Sequence, residues 1–227
     1  MIRLIDRDII LRQPTIGYTI SSVQQLYYTN FLEDELTPEE LASRIEPLDH
    51  RKSSIKPIFS HTTLLYHPST NEAEYPALFS EAFRQALEKT NIQSLYCLTD
   101  TKRSVFGNLS NTYAPLKKAY KALKQITGND STYQGGFEIT LDSINEFISI
   151  LFWIARCDTL SFSLTSDDDS FVAEFCKYGN LHITFYQETA FTNLLSHFLA
   201  YGLQEWNEQE YNRFGSSSAI KGRRIKI

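Results

Sequence analysis

Residues 167–186 read DDDSFVAEFCKYGNLHITFY, two alternating runs of apolar and polar side chains joined by a glycine-containing turn. Alternation of this kind marks two half-buried strands of one hairpin. The length of the turn decides which residues face each other, and there are two possibilities. If Gly179 and Asn180 alone form the loop, Tyr178 pairs with Leu181, and Phe171, Ala173 and Phe175 share a face with His182, Thr184 and Tyr186. If Tyr178, Gly179 and Asn180 form it, with one residue left-handed, Lys177 pairs with Leu181. Phe171, Ala173, Phe175, Leu181, Ile183 and Phe185 then make one apolar face. The second register is expected, because a slip by one residue turns the whole apolar set to the wrong side.

That register places Glu174, Cys176 and His182 on the opposite face, with Cys176 directly across from His182. Facing side chains on paired strands have Cβ atoms about 4.5 to 5.5 Å apart, within reach of a thiol and an imidazole. A nearby imidazolium activates a cysteine nucleophile, so Cys176 and His182, with Glu174 beside them, form one candidate catalytic set. Against it, a strand cysteine is commonly a small buried hydrophobe, and a mid-strand site lacks the backbone donors that stabilise an oxyanion.

Upstream of the hairpin, TLDSINEFISILFWIARCD (140–158) is apolar on nearly every side of a helix. Thr140 is a candidate cap; Ile144, Phe147, Ile148, Leu151 and Ala155 form one stripe, which Ile150, Phe152, Trp153 and Ile154 widen. A helix of that kind belongs at the centre of a domain. YPALFSEAFRQALEK (75–89) and APLKKAYKALKQITGN (114–129) read as amphipathic helices that begin at Pro76 and Pro115. Leu78, Phe79, Ala82, Phe83, Ala86 and Leu87 turn inward from the first helix, and Leu116, Tyr120 and Leu123 from the second, which Gly128 caps. Thr37, Pro38 and Glu40 form a capping-box start, and a helix is expected over about 188–203.

Strands are expected at 160–165, 171–177 and 181–186, at SLYCLTD (94–100), and through the N-terminal third in IRLIDRDIILR, TIGYTI and IFSHTTLLYH. Strands and helices fall in blocks with no internal repeat. The expectation is an α+β domain over residues 1–227, a mostly antiparallel sheet packed against the central apolar helix and several amphipathic helices, with a short basic tail from about 214.

Aromatic content is high, with 15 Phe and 13 Tyr against one Met, an inventory suited to packing and contact surfaces. Asp6 and Asp8 interrupt any signal-like N-terminus, and the longest apolar run, 147–155, is half of what a membrane span requires. Cys97, Cys157 and Cys176 are odd in number and widely spaced, which suggests neither a disulfide framework nor a zinc knuckle. A cytoplasmic setting fits.

The net charge of −5 conceals strong segregation. Residues 33–49 carry seven acids and one base, 102–124 six bases and no acid, 130–210 thirteen acids with only Arg156 and Lys177, and 213–226 five bases and no acid. Lys117, Lys118, Lys121 and Lys124 form a stripe that could neutralise phosphates, though no base-stacking motif accompanies it. His61 and His67 lie too far apart along one strand to share a metal, and SDDDS (166–170) lacks the glycine and distal glutamate of a calcium loop. Phosphate-binding glycine loops, nucleophile elbows and HExxH are absent, and no cofactor is expected.

Acids interleaved with aromatic side chains suit a cationic protein partner, because complementary potentials speed encounter and aromatic groups anchor the contact. The expected contacts are Asp167, Asp168, Asp169, Tyr178, Tyr186, Tyr201, Glu205, Trp206, Glu208, Glu210 and Tyr211. A bacterial immunity protein or antitoxin that neutralises a basic toxin has this profile. The rival expectations are a small-substrate enzyme using Cys176 and His182, and a nucleic-acid-binding protein using the lysine stripe.

Overall fold

A computed structural model describes residues 1–34, 36–49, 57–206, 212, 214–215 and 220–223. Eight strands form one sheet: β1 (Ile2–Ile5), β2 (His61–Tyr66), β3 (Ser94–Thr99), β4 (Gly136–Thr140), β5 (Phe162–Ser166), β6 (Phe171–Phe175), β7 (Leu181–Phe185) and β8 (Gln204–Trp206). Their spatial order is β1-β4-β3-β5-β6-β7-β2-β8, and every neighbouring pair is antiparallel. The helices are α1 (Arg7–Ile10), α2 (Pro14–Glu33), α3 (Pro38–Ile45), α4 (Tyr75–Leu87), α5 (Ala114–Ile126), α6 (Ile144–Cys157) and α7 (Glu188–Ala200). The α+β architecture is the expected one.

The apolar face of the hairpin packs into the main core. Phe171, Ala173, Phe175, Leu181, Ile183 and Phe185 are all buried there, with Cys97 and Leu164 from neighbouring strands. Helix α6 lies at the centre of this layer between α4 and α5, and it buries Phe147, Ile148, Leu151, Phe152 and Ile154. Its all-round apolar surface follows from contacts on both flanks as well as with the sheet. Leu78 departs from the expected inward stripe of α4 and faces solvent.

The opposite face of the sheet is half covered. Ile10, Leu11, Ile16 and Ile20 of the N-terminal helices pack on Leu98 and Val172. Here the expected strand-rich N-terminus is corrected. IRLI and HTTLLY are strands, β1 and β2, as expected, but Asp6 caps α1 by accepting from the Asp8 N–H at 2.7 Å, and TIGYTI lies inside the 20-residue α2. Its Thr, Ile and Tyr content favours strand, but Ile16, Ile20 and Gln24 recur every four residues, and burial of that stripe on β5 and β6 outweighs propensity.

The hairpin has the expected faces in a different register. Phe171 pairs with Phe185, Glu174 with His182 and Phe175 with Leu181. The Cys176 N–H donates to the Asn180 carbonyl at 2.9 Å, and the Gly179 N–H donates to the Cys176 carbonyl at 2.9 Å. The three-residue loop is therefore Lys177–Tyr178–Gly179. Gly179 takes the left-handed position at its end, with φ +80°, as a type I turn with a glycine bulge requires. Pairing moves by two residues, which preserves the faces and exchanges the partners. Cys176 lies opposite Asn180, so the expected Cys176–His182 pairing is not formed.

Candidate functional site

Antiparallel registers carry one row of side chains across the half-covered face: Leu98, Ser163, Glu174, His182, Leu64 and Trp206. Asp100 sits at its covered end, immediately after β3, only 8 % exposed. Ser163 Oγ donates to Asp100 Oδ1 at 3.2 Å, and Ser161 Oγ donates to Glu174 Oε2 at 3.1 Å. Tyr27 of α2 brings its hydroxyl to 3.5 Å from Asp100 Oδ2, at the limit of a hydrogen bond.

The electrostatics follow from this crowding. Burial, with the negative charge of Glu174 added, pushes the Asp100 carboxyl up to about 6, and burial together with Asp100 and Glu174 pushes the Tyr27 phenol up to about 12. A carboxyl that exchanges its proton near neutral pH is a chemical resource as well as a cost in stability.

The backbone at Asp100 is held by a second polar group. Arg7 Nε donates to Asp49 Oδ1 at 2.9 Å and its Nη1 to the Thr99 carbonyl at 2.6 Å. Gln24 Nε2 donates to Asp49 Oδ2 at 2.7 Å and to the Asp100 carbonyl at 2.6 Å. Burial pushes Asp49 up, but hydrogen bonds and charge from Arg7 outweigh it and hold the carboxyl below its usual range. This group fastens α1, α2 and the segment after α3 to the end of β3.

A cleft of about 510 Å³ opens beside it. Tyr27 and Phe31 of α2, Arg44 of α3, and Asp100, Arg103 and Ser161 are among the residues that line it. The Tyr27 and Phe31 rings stack at 6.4 Å between centroids, and the Arg44 guanidinium lies 5.5 Å from the Phe31 centroid. At the far end Asp158 is structural: it accepts from the Tyr120 hydroxyl at 2.6 Å and the Asn108 N–H at 2.7 Å. A Cβ at Gly107 would come within 2.6 Å of that carboxylate and force it to shift from its hydrogen bonds.

No protein-family model matches the chain, and neither curated proteins nor solved structures provide a match. The functional reading accordingly rests on the site itself.

The acids singled out in the sequence are engaged within the fold. Asp167 Oδ2 accepts from the Gln93 and Ser94 N–H groups at 3.0 and 3.1 Å. Asp168 Oδ1 accepts from the Ser166 hydroxyl at 2.6 Å and the Ser170 N–H at 3.1 Å. Asp169 reaches across to the start of α2, where it accepts from the Thr15 N–H at 3.2 Å and from the Thr15 hydroxyl. Turn acids used as caps explain the cluster more simply than a docking patch.

Tyr186 shares a 2.7 Å hydrogen bond with the Thr19 hydroxyl, and Tyr201 ends α7 while packing on the core. Tyr178 lies under the Lys177 ammonium at 4.8 Å. Glu205 accepts from the Thr63 hydroxyl at 2.7 Å, whereas Trp206 is 36 % exposed and meets the edge of Tyr66. Glu208, Glu210 and Tyr211 lie outside the described residues.

Lys117, Lys118 and Lys121 face solvent and Lys124 is half-buried, and among the described residues none of the four makes an ion pair. Arg223 of the basic tail donates from Nη1 to the Ala155 and Arg156 carbonyls at 2.9 and 3.1 Å, closing the C-terminus of α6. Cys97 and Cys157 are buried, and burial pushes both thiols up, Cys157 to about 12. His61 lies against Phe191 with ring centroids 4.0 Å apart and planes tilted by 38°, and His67 Nδ1 accepts from the Ser69 N–H at 3.2 Å. Among the described residues no group of three metal-binding side chains converges, and no helix is long and apolar enough to cross a membrane.

Asp100 and Tyr27 are the residues that sequence reasoning missed. A lone aspartate closing an apolar strand was the available signal for the first. Nothing local marks the second.

Proposed function

We propose that the protein binds a basic protein partner, in the manner of a bacterial immunity protein or antitoxin, and acts by occupying the partner's surface. The observation that carries this reading lies on α2 and α3, away from the 167–169 turn. Tyr28 and Leu32, on one face of the C-terminal half of α2, are 37 % and 55 % exposed. Glu33, Asp34, Glu39, Glu40 and Glu46 are exposed on the same helical pair. Asp34 meets Arg44 at 3.5 Å with both side chains about half exposed, and Glu40 closes the capping box at Thr37. Such exposed pairs contribute little stability, so the acids keep most of their field for an incoming cation.

Apolar and aromatic anchors accompanied by one sign of charge are the arrangement of a protein-binding surface. Acids there raise the association rate for a basic partner, and Tyr28 and Leu32, one helical turn apart, supply the desolvated contact. Trp206 and Glu205 lie on β8, three strands along the sheet from β6, on which α2 packs, and belong to neither helix.

The test is binding to the basic product of an adjacent reading frame. The wild type should bind it with an affinity that falls steeply as salt rises, and the triple change Glu33→Lys, Asp34→Lys and Glu39→Lys should weaken binding by about tenfold or more. Unchanged affinity in the triple variant across salt concentrations would remove the reading.

A further inference from the structure

The cleft beside Asp100 combines groups that no docking surface needs. Two arginines, Arg44 and Arg103, lie at its exposed margin, and Asp100 lies buried within it. A purely cationic ligand would meet the arginines, and a purely anionic one would meet Asp100 backed by Glu174. The cleft suits a molecule that is anionic at one end and carries N–H donors at the other. Between those ends the lining is aromatic: Tyr27 and Phe31, with ring planes 25° apart, line the cleft and offer aromatic contact to a planar ring.

Size narrows the choice. About 510 Å³ falls in the range of small-molecule sites. A free amino acid would leave most of it unfilled and the aromatic lining unused. Guanidinium groups are the preferred partners of phosphate. Among the described residues Arg44 makes an exposed 3.5 Å pair with the half-exposed Asp34, lies over Phe31 and feels the charge of Glu40, so a phosphate dianion would displace little that is stable.

We propose that this cleft binds a nucleoside monophosphate, with the base against Tyr27 and Phe31, a ring or amino N–H donated to Asp100, and the phosphate at Arg44 and Arg103. The site is separate from the α2–α3 docking surface in what it recognises, although α2 and α3 carry residues of both. No chemical step is assigned to the ligand.

Calorimetric titration of the full chain with AMP, GMP, CMP and UMP tests the proposal, with adenosine, guanosine, ribose 5-phosphate, inorganic phosphate and free amino acids as controls. At least one monophosphate should bind more tightly than its nucleoside and than ribose 5-phosphate. Replacing the exposed arginines, Arg44→Gln with Arg103→Gln, should abolish the advantage of nucleotide over nucleoside, a loss of about tenfold or more, and leave the melting temperature close to that of the wild type. Asp100→Asn should weaken the nucleotide while leaving ribose 5-phosphate unchanged. If Asp100→Asn fails to fold, Phe31→Leu serves the same comparison. Failure of all four monophosphates to bind, equal binding of inorganic phosphate, preference for an amino acid, or an undiminished phosphate advantage without the arginines would each overturn the proposal.

Discussion

Asp100 concentrates the chemistry of this protein in one carboxyl. Its partners are two serines and a phenol, none of them a full positive charge, so burial and Glu174 dominate and the proton is held up to about 6 against an ordinary 3.8. The folded state therefore binds that proton more tightly than the unfolded chain does. Below about 4 both states are protonated. As pH rises from about 4 to about 6 the unfolded chain ionises first, stability falls, and above about 6 the full penalty is present, on the order of 3 kcal/mol. Asp100→Asn should raise the neutral-pH stability by up to that amount and flatten the loss of stability between pH 4 and 6. Urea titrations at several pH values measure both.

At the level of elements, loop chemistry decides more than strand propensity. Gly179 is left-handed, and a Cβ there would lie 2.6 Å from the buried Phe152 ring. Gly179→Ala should cost about 2 kcal/mol or more, because backbone strain and a clash in the core add. Thermal melting gives the value. Asp169 serves α2 as a cap supplied from another part of the chain, since Gln13 at the helix start makes no side-chain cap. Asp169→Ala should cost about 1 kcal/mol and should speed amide exchange at the first turn of α2, leaving α6 unaffected.

Helix α6 was legible because its apolar residues run round the whole surface. The capping box of α3, the proline starts of α4 and α5, and the faces of the hairpin were legible for equally local reasons. Helix α2 was not. Its β-branched and aromatic residues suggest a strand until the sheet that buries Ile16 and Ile20 is known. The register of the hairpin missed by two residues because parity fixes a face and only the position of the left-handed glycine fixes the partner.

Across the whole molecule, charge segregation was visible in the sequence, but which acids stand free was not. Asp167, Asp168 and Asp169 form the densest acidic run and are consumed by N–H groups and hydroxyls of Gln93, Ser94, Ser166, Ser170 and Thr15. Glu33, Asp34, Glu39, Glu40 and Glu46 look less concentrated and remain at the surface. The Asp100 site was hidden for a related reason: Asp100 and Glu174 are far apart in the chain and meet only because β5 inserts between β3 and β6.

The central claim is that the exposed helical pair α2–α3 is where a basic partner docks. Amide hydrogen exchange of the complex with the basic product of an adjacent reading frame tests it most directly. Slowed exchange concentrated in residues 25–34 and 37–46 is the predicted result. Protection confined to 167–169 and 204–206, with the α2–α3 amides exchanging as in the free protein, would contradict it.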